Sequence, residues 1–227
     1  MSSQDTRHIL NSFEDALQGL RSNVLMMATL TERGLEQARK ALFERDTSAA
    51  SAAIADDEEI DQLEVQIDHD GMQLITRFRP LASDFRAVIS SMKMSVNIER
   101  IADQVTGIAR RSRKLNKYPE LPEVPLLQPM FDFTLEMFRD ATRAFAEGDL
   151  KIAHAMKDRD RVLDDMNREI AKKFTQAMPS NVEAIKGYLN LIFIARFLER
   201  IGDHSTNICE DAVFVYSAED IRHGGSN

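Results

Sequence analysis

The sequence has 227 residues, 43% of them hydrophobic, and a formal net charge of −8 at pH 7. That balance excludes a sequence-independent nucleic-acid binder, which needs a basic stripe to displace counterions. The single Cys209 excludes a disulfide framework within the chain.

The opening Met1-Ser2-Ser3-Gln4-Asp5 carries no basic segment, and Glu14 and Asp15 interrupt any apolar run, so no signal peptide is expected. No stretch reaches the roughly 18 apolar residues that cross a bilayer. The longest apolar cluster, Leu189 to Leu198, is broken by Arg196. A cytoplasmic protein is expected.

Nine Gly, six Pro and no Trp leave long stretches without helix breakers. A first helix is expected over 5–45. Asp46 precedes an Ala-rich run and reads as an N-cap, because its side chain can accept from free N–H groups of the first turn. It opens a second helix over 47–77. Pro80 marks a turn, since proline cannot continue a helix and biases its predecessor away from one. A third helix follows over 84–115. Its basic cluster, Arg110, Arg111, Arg113 and Lys114, reads as a complement to the helix C-terminus. Asn116 to Pro125 holds three prolines and is the one clear linker. Further helices are expected over 126–147, 150–177 and 182–216, with Gly148-Asp149 as a terminating glycine and an N-cap, and with a turn at Pro179.

The two halves repeat. Glu99-Arg100-Ile101-Ala102-Asp103 recurs as Glu199-Arg200-Ile201-Gly202-Asp203, an offset of 100. Asp57-x3-Asp61 recurs as Asp160-x3-Asp164, and Glu44-x-Asp46 as Glu147-x-Asp149, both offset by 103. The change of offset falls in the Pro80 and Pro179 turns, where an indel is easily absorbed. The predicted architecture is therefore all-α, two tandem three-helix bundles, with a first repeat over 1–115, a linker over 116–125 and a second repeat over 126–227.

Glu99 and Asp103 are four apart and share a helix face, as do Asp57 and Asp61. Asp57 and Asp103 are equidistant from Pro80, and so are Asp61 and Glu99. In an antiparallel hairpin such residues are level, so four carboxylates should meet. Asp160, Asp164, Glu199 and Asp203 stand in the same relation about the Pro179 turn. Four acids at that spacing repel one another and need a neutralising partner. Arg100 and Arg200 are expected to be poor partners, because each is adjacent in sequence to its glutamate and turned about 100° from it. A hard cation bound by carboxylate oxygens is the better candidate. Phe85, Val88, Met92 and Val96 share the side of Glu99 and Asp103, while Met94, Ile98, Ile101, Val105 and Ile108 form a second apolar side.

His204 has Gln104 as its counterpart and reads as a polar helix residue rather than a ligand. His8, His69, His154 and His223 stand outside the motifs. Cys209 reads as a small core residue.

These residues carry a family resemblance. Arg79-Pro80-Leu81-Ala82-Ser83-Asp84-Phe85-Arg86, then Asn97-Ile98-Glu99-Arg100-Ile101-Ala102-Asp103, resemble the motifs of PhoU, an accessory regulator of bacterial phosphate uptake. So do Arg196-Phe197-Leu198-Glu199-Arg200-Ile201-Gly202-Asp203-His204-x2-Asn207-Ile208-Cys209-Glu210 and the terminal Glu219-Asp220-Ile221-Arg222-His223. The resemblance implies two three-helix bundles related by a pseudo-twofold, and iron, zinc, manganese or magnesium held at the acidic motifs. By the match, Glu99, Asp103, Glu199 and Asp203 carry over first, then Asp57, Asp61, Asp160 and Asp164. Glu64 has Asn167 as its counterpart, so the two sites differ in charge. The resemblance also implies a homodimer and contact with a phosphate ABC transporter's ATPase subunit and with a phosphate-sensing histidine kinase. In that setting the protein represses the phosphate response and reaches the membrane only through partners. A related branch of the family serves other phosphate permeases.

The resulting expectation is a non-enzymatic, metal-binding regulatory adaptor. The chief rival is a di-metal carboxylate enzyme of ferritin-like type, but that class uses Glu-x-x-His, which the sequence lacks. No P-loop, nucleophile elbow or kinase motif is present either. An inert helical scaffold with surface acids is the third possibility.

Overall fold

The computed structural model describes residues 3–219 and Ile221, with side chains described from residue 11 onward. His8, Asp220, Arg222 and His223 fall outside the described side chains. The chain is helical, with seven α-helices among the described residues: α1 (Ser3–Phe43), α2 (Thr47–Ala55), α3 (Asp57–Phe78), α4 (Ala82–Leu115), α5 (Gln128–Glu147), α6 (Leu150–Ala177) and α7 (Ile185–Ser217). Asp46 caps α2 by accepting from the N–H groups of Ser48 and Ala49, and Asp149 caps α6 from Lys151 and Ile152. Gly148 ends α5 in the left-handed conformation at φ 72°.

The second expected helix departs from the prediction, because it bends at Asp56 into α2 and α3. Arg33 of α1 holds the Asp56 carboxylate through two contacts, at 2.9 and 3.1 Å. The clamp lies where Ala49, Ala50 and Ala53 bury the small face of α2. The ion pair ties the break between α2 and α3 to α1.

The first bundle packs α1, α2 with α3, and α4 together. The second packs α5, α6 and α7. Leu20, Met27, Leu35, Ile67, Met94, Ile98, Ile101 and Ile108 are fully buried in the first, and Phe131, Phe138, Phe174, Tyr188, Leu191 and Leu198 in the second. The apolar side of α4 predicted from Met94 to Ile108 is thus all core. On the other side Val88 is buried, but Phe85 and Val96 are 43% and 41% exposed, so that stripe emerges into solvent before it reaches the acids.

The most extensive helix pairing joins the two bundles, α4 against α7. The helices run antiparallel along a stripe spaced by three and four residues. Lys93 meets Asp211 at 3.4 Å, Asn97 meets His204 and Asn207, Gly107 lies under the Phe197 ring, and Arg111 bonds Asn190 and stacks on Phe193 at 3.9 Å. Residue 93 faces residue 211, and residue 111 faces residue 193. Across the offset of 100 these are the same two positions exchanged, which is the signature of a pseudo-twofold. Arg111 therefore serves the seam between repeats, a correction to its expected part in the basic cluster. Arg113 and Lys114 do lie in the last turn of α4.

Candidate functional site

Each acidic cluster is built from the middle and third helices of its repeat, from the start of α3 and the centre of α4 in the first and from the central turns of α6 and α7 in the second. In the first repeat Asp57 stands in the first turn of α3 and is half-buried, and Asp61 is one turn on and exposed. Glu99 on α4 is half-buried and Asp103 is exposed. Thr106 Oγ donates to Asp57 Oδ1 at 3.1 Å, tying α4 to α3 at this level. Burial raises the Asp57 carboxyl above its ordinary range. Thr106 opposes the rise, and the charges of Asp61 and Asp103 add to it. Glu99 is raised by burial and then by Asp103, against the pull of Arg100, with smaller pushes from Glu64 and Asp61. Glu64, one turn beyond Asp61, is raised by burial and by Asp68 and Asp61. The four predicted acids do share one electrostatic neighbourhood, and Glu64 belongs to it.

The second cluster is more deeply set. Glu199 is only 7% exposed. Burial, Asp203 and Asp164 raise Asp160 to about 6. Glu199 is raised by burial and Asp203, and Asp203 by burial and Asp164. Gly202, where the first repeat has Ala102, lets Leu163 press against α7: a Cβ there would fall 2.2 Å from Leu163 Cδ2.

The arginines differ from expectation. Arg100 does reach the acids, with Nε 3.4 Å from Glu99 Oε2 and Nη1 3.9 Å from Asp103 Oδ2. Its Cα points away, but a long flexible side chain folds back along the helix. In the second repeat the partner is Arg196, which donates to Glu199 Oε1 from one turn earlier. Even so, no hydrogen bond satisfies the buried Glu99 Oε2 and Glu199 Oε2. Among the described residues, no three His, Cys, Asp or Glu side chains converge on one ion position as they stand.

Thr106 was missed by the sequence reading, and the signal was available. The repeated motif extends as Glu-x3-Asp-x2-Thr, placing Thr206 at the same offset beside Asp160. His204 pairs through Nδ1 with Asn97 Oδ1 at 3.1 Å, so it serves the seam. His69 is exposed beside Asp70, His154 is exposed, and Cys209 is fully buried, its thiol pushed up to about 12 by burial.

The family model described as the PhoU domain matches the chain twice, over residues 24–112 and 127–212. The chain belongs to the PhoU family. The two matches run from α1 to α4 and from the start of α5 to α7, one for each bundle. A curated relative from Xylella fastidiosa, strain 9a5c, named "Phosphate-specific transport system accessory protein PhoU homolog", is 32% identical over 219 residues, covering 96% of this chain and 92% of that protein. The crystal structure of PhoU from Pseudomonas aeruginosa superposes with a TM-score of 0.88 at 31% identity, over 91% of this chain and 100% of that one. The crystal structure of the phosphate transport system regulatory protein PhoU from Streptococcus pneumoniae gives 0.84 at 28% identity, over 92% and 99%. These PhoU proteins are named as accessory or regulatory proteins, not as enzymes.

Proposed function

We propose that this chain is a non-enzymatic regulatory adaptor of phosphate uptake that holds metal at its two acidic clusters. It works by contact with the phosphate transporter's ATPase subunit and the phosphate-sensing kinase, and it represses the phosphate response when phosphate is plentiful. The observation that carries the reading is the double match to the PhoU domain along a chain whose curated relatives are named for the phosphate-specific transport system.

The donor chemistry of the acidic clusters suits a hard cation, which would have to draw the carboxylates together. Each offers carboxylate oxygens only, which suit magnesium, manganese or iron better than a soft ion. Each also keeps one buried glutamate oxygen that no hydrogen bond satisfies, at Glu99 and Glu199. Asp57, Asp61, Glu99 and Asp103 would hold the ion of the first repeat, with Glu64 beside them. Asp160, Asp164, Glu199 and Asp203 would hold that of the second, and there Asn167 makes the set less negative. A bound ion would neutralise repulsion across each hairpin. The chain's own part is to keep the third helix registered on the second, through Thr106 on Asp57 and through Leu163 on Gly202.

Among the described residues, no helix is long and apolar enough to cross a membrane, and the net charge of −8 gives no attraction to an anionic bilayer. Recruitment to a transporter therefore runs through protein contacts. Deleting the gene in a strain that keeps the transporter and the kinase is expected to switch on phosphate-starvation genes in high phosphate. Normal repression in that strain would remove the proposal.

A further inference from the structure

The turn between α3 and α4 differs from its counterpart between α6 and α7. Arg79 and Ala82 both lie in the left-handed region, at φ 49° and 48°, where a Cβ is disfavoured. The α6–α7 connection is made by two short 3-10 turns, Met178–Ser180 and Val182–Ala184, without any positive φ. Joining the two helices therefore does not itself require left-handed residues. The left-handed pair flanks Pro80 and Leu81 and leaves Leu81 at the tip, 80% exposed, with Phe85 one turn further on and 43% exposed.

The charges around this tip are mostly basic. Residues 77–86 hold Arg77, Arg79 and Arg86 against Asp84 alone, in a chain whose net charge is −8. Arg77 and Arg79 are exposed, and Arg77 is steadied over the Phe78 ring at 5.1 Å. At the other turn the exposed Val182 is followed by an acid, Glu183. An apolar knob in a basic collar is complementary to an apolar cleft with an acidic rim.

We propose that this turn is the docking knob for a protein partner, with Leu81 and Phe85 entering an apolar cleft and Arg77 and Arg79 facing acids on its rim. The inference rests on the adaptor reading and locates its contact surface. The test measures binding to the purified ATPase subunit of the phosphate transporter and to the cytoplasmic part of the kinase. The proteins compared are the natural one, Leu81→Ser with Phe85→Ser, Arg79→Glu, and Val182→Ser. All four side chains are exposed, so helix content by circular dichroism should hold.

The expected result is a loss of about ten-fold or more for the serine pair with at least one of the two proteins. Arg79→Glu should weaken the same complex by a factor that shrinks as salt is raised, and Val182→Ser should leave it unchanged. Equal affinity of the natural protein and both tip variants overturns the docking knob and leaves the adaptor reading standing. Failure of the natural protein to bind either partner overturns both. If the serine pair instead abolishes self-association, or binding to phosphatidylglycerol vesicles, with partner binding intact, the turn belongs to a second copy or to lipid and the proposal falls.

Discussion

Asp160 is held near pH 6 by burial and by the charges of Asp203 and Asp164. A carboxyl raised in this way binds its proton more tightly in the folded chain. It therefore contributes stability that is full below the unfolded value near 3.8 and is lost as pH rises through about 6. The metal-free protein is expected to melt at a lower temperature at pH 7 than at pH 5. Asp160→Asn should raise the melting temperature at pH 7 and flatten the difference, as read by thermal unfolding in chelator. A slope unchanged by the substitution would show that Asp160 does not set it. Glu99→Ala with Asp103→Ala is expected to lower bound metal to about half, because each repeat has its own cluster, with the fold preserved since alanine suits a helix. Metal analysis of protein purified without chelator or nickel resin measures this. Emptying of both sites by that one pair would refute independent clusters. At this scale the acids were legible because residues equidistant from a hairpin turn must be level. Arg100 was not, since a helical wheel gives the direction of a Cα and not of a guanidinium several bonds away.

At Gly202 of α7, Leu163 Cδ2 of α6 lies 2.2 Å from where a Cβ would stand. Gly202→Ala gains helix propensity of about 1 kcal/mol but forces Leu163 out of place, and overpacking of this kind costs about 1–3 kcal/mol. The net expectation is a loss of stability of about 1 kcal/mol, seen as a fall of about 2–4 °C in melting temperature. A rise would mean that Leu163 relaxes freely. The helices themselves were legible because Asp46, Pro80, Gly148 and Pro179 punctuate the sequence through backbone chemistry that acts locally. The bend at Asp56 was not, since no proline or glycine marks it and the Arg33 contact there comes from another helix. Nor was the stacking of Arg111 on Phe193, which joins positions 82 residues apart in different repeats.

The whole molecule depends on the α4–α7 seam and on ion pairs between α1 and α5, where Arg139 meets Glu32 and Glu36, and Arg39 meets Asp132 at 2.9 Å. Fragments divided within Asn116–Pro125 are each expected to be helical by circular dichroism but to melt well below the intact chain, with mixing restoring part of the loss. Two fragments as stable as the parent would make the seam energetically trivial. The two sides of that seam both carry polar groups but differ in their aromatics. On α4 it presents Lys93, Asn97, Gly107 and Arg111, while the aromatic contacts Phe193, Phe197 and Phe214 all come from α7. Chains are synthesised from the N-terminus at about 5–20 residues per second, and Lys93 meets Asp211 across 118 positions. The first bundle therefore waits on the order of ten seconds for its partner during translation. It waits with Lys93, Asn97 and Arg111 in place, and the phenylalanines of the joint are made only when the surface that covers them already exists.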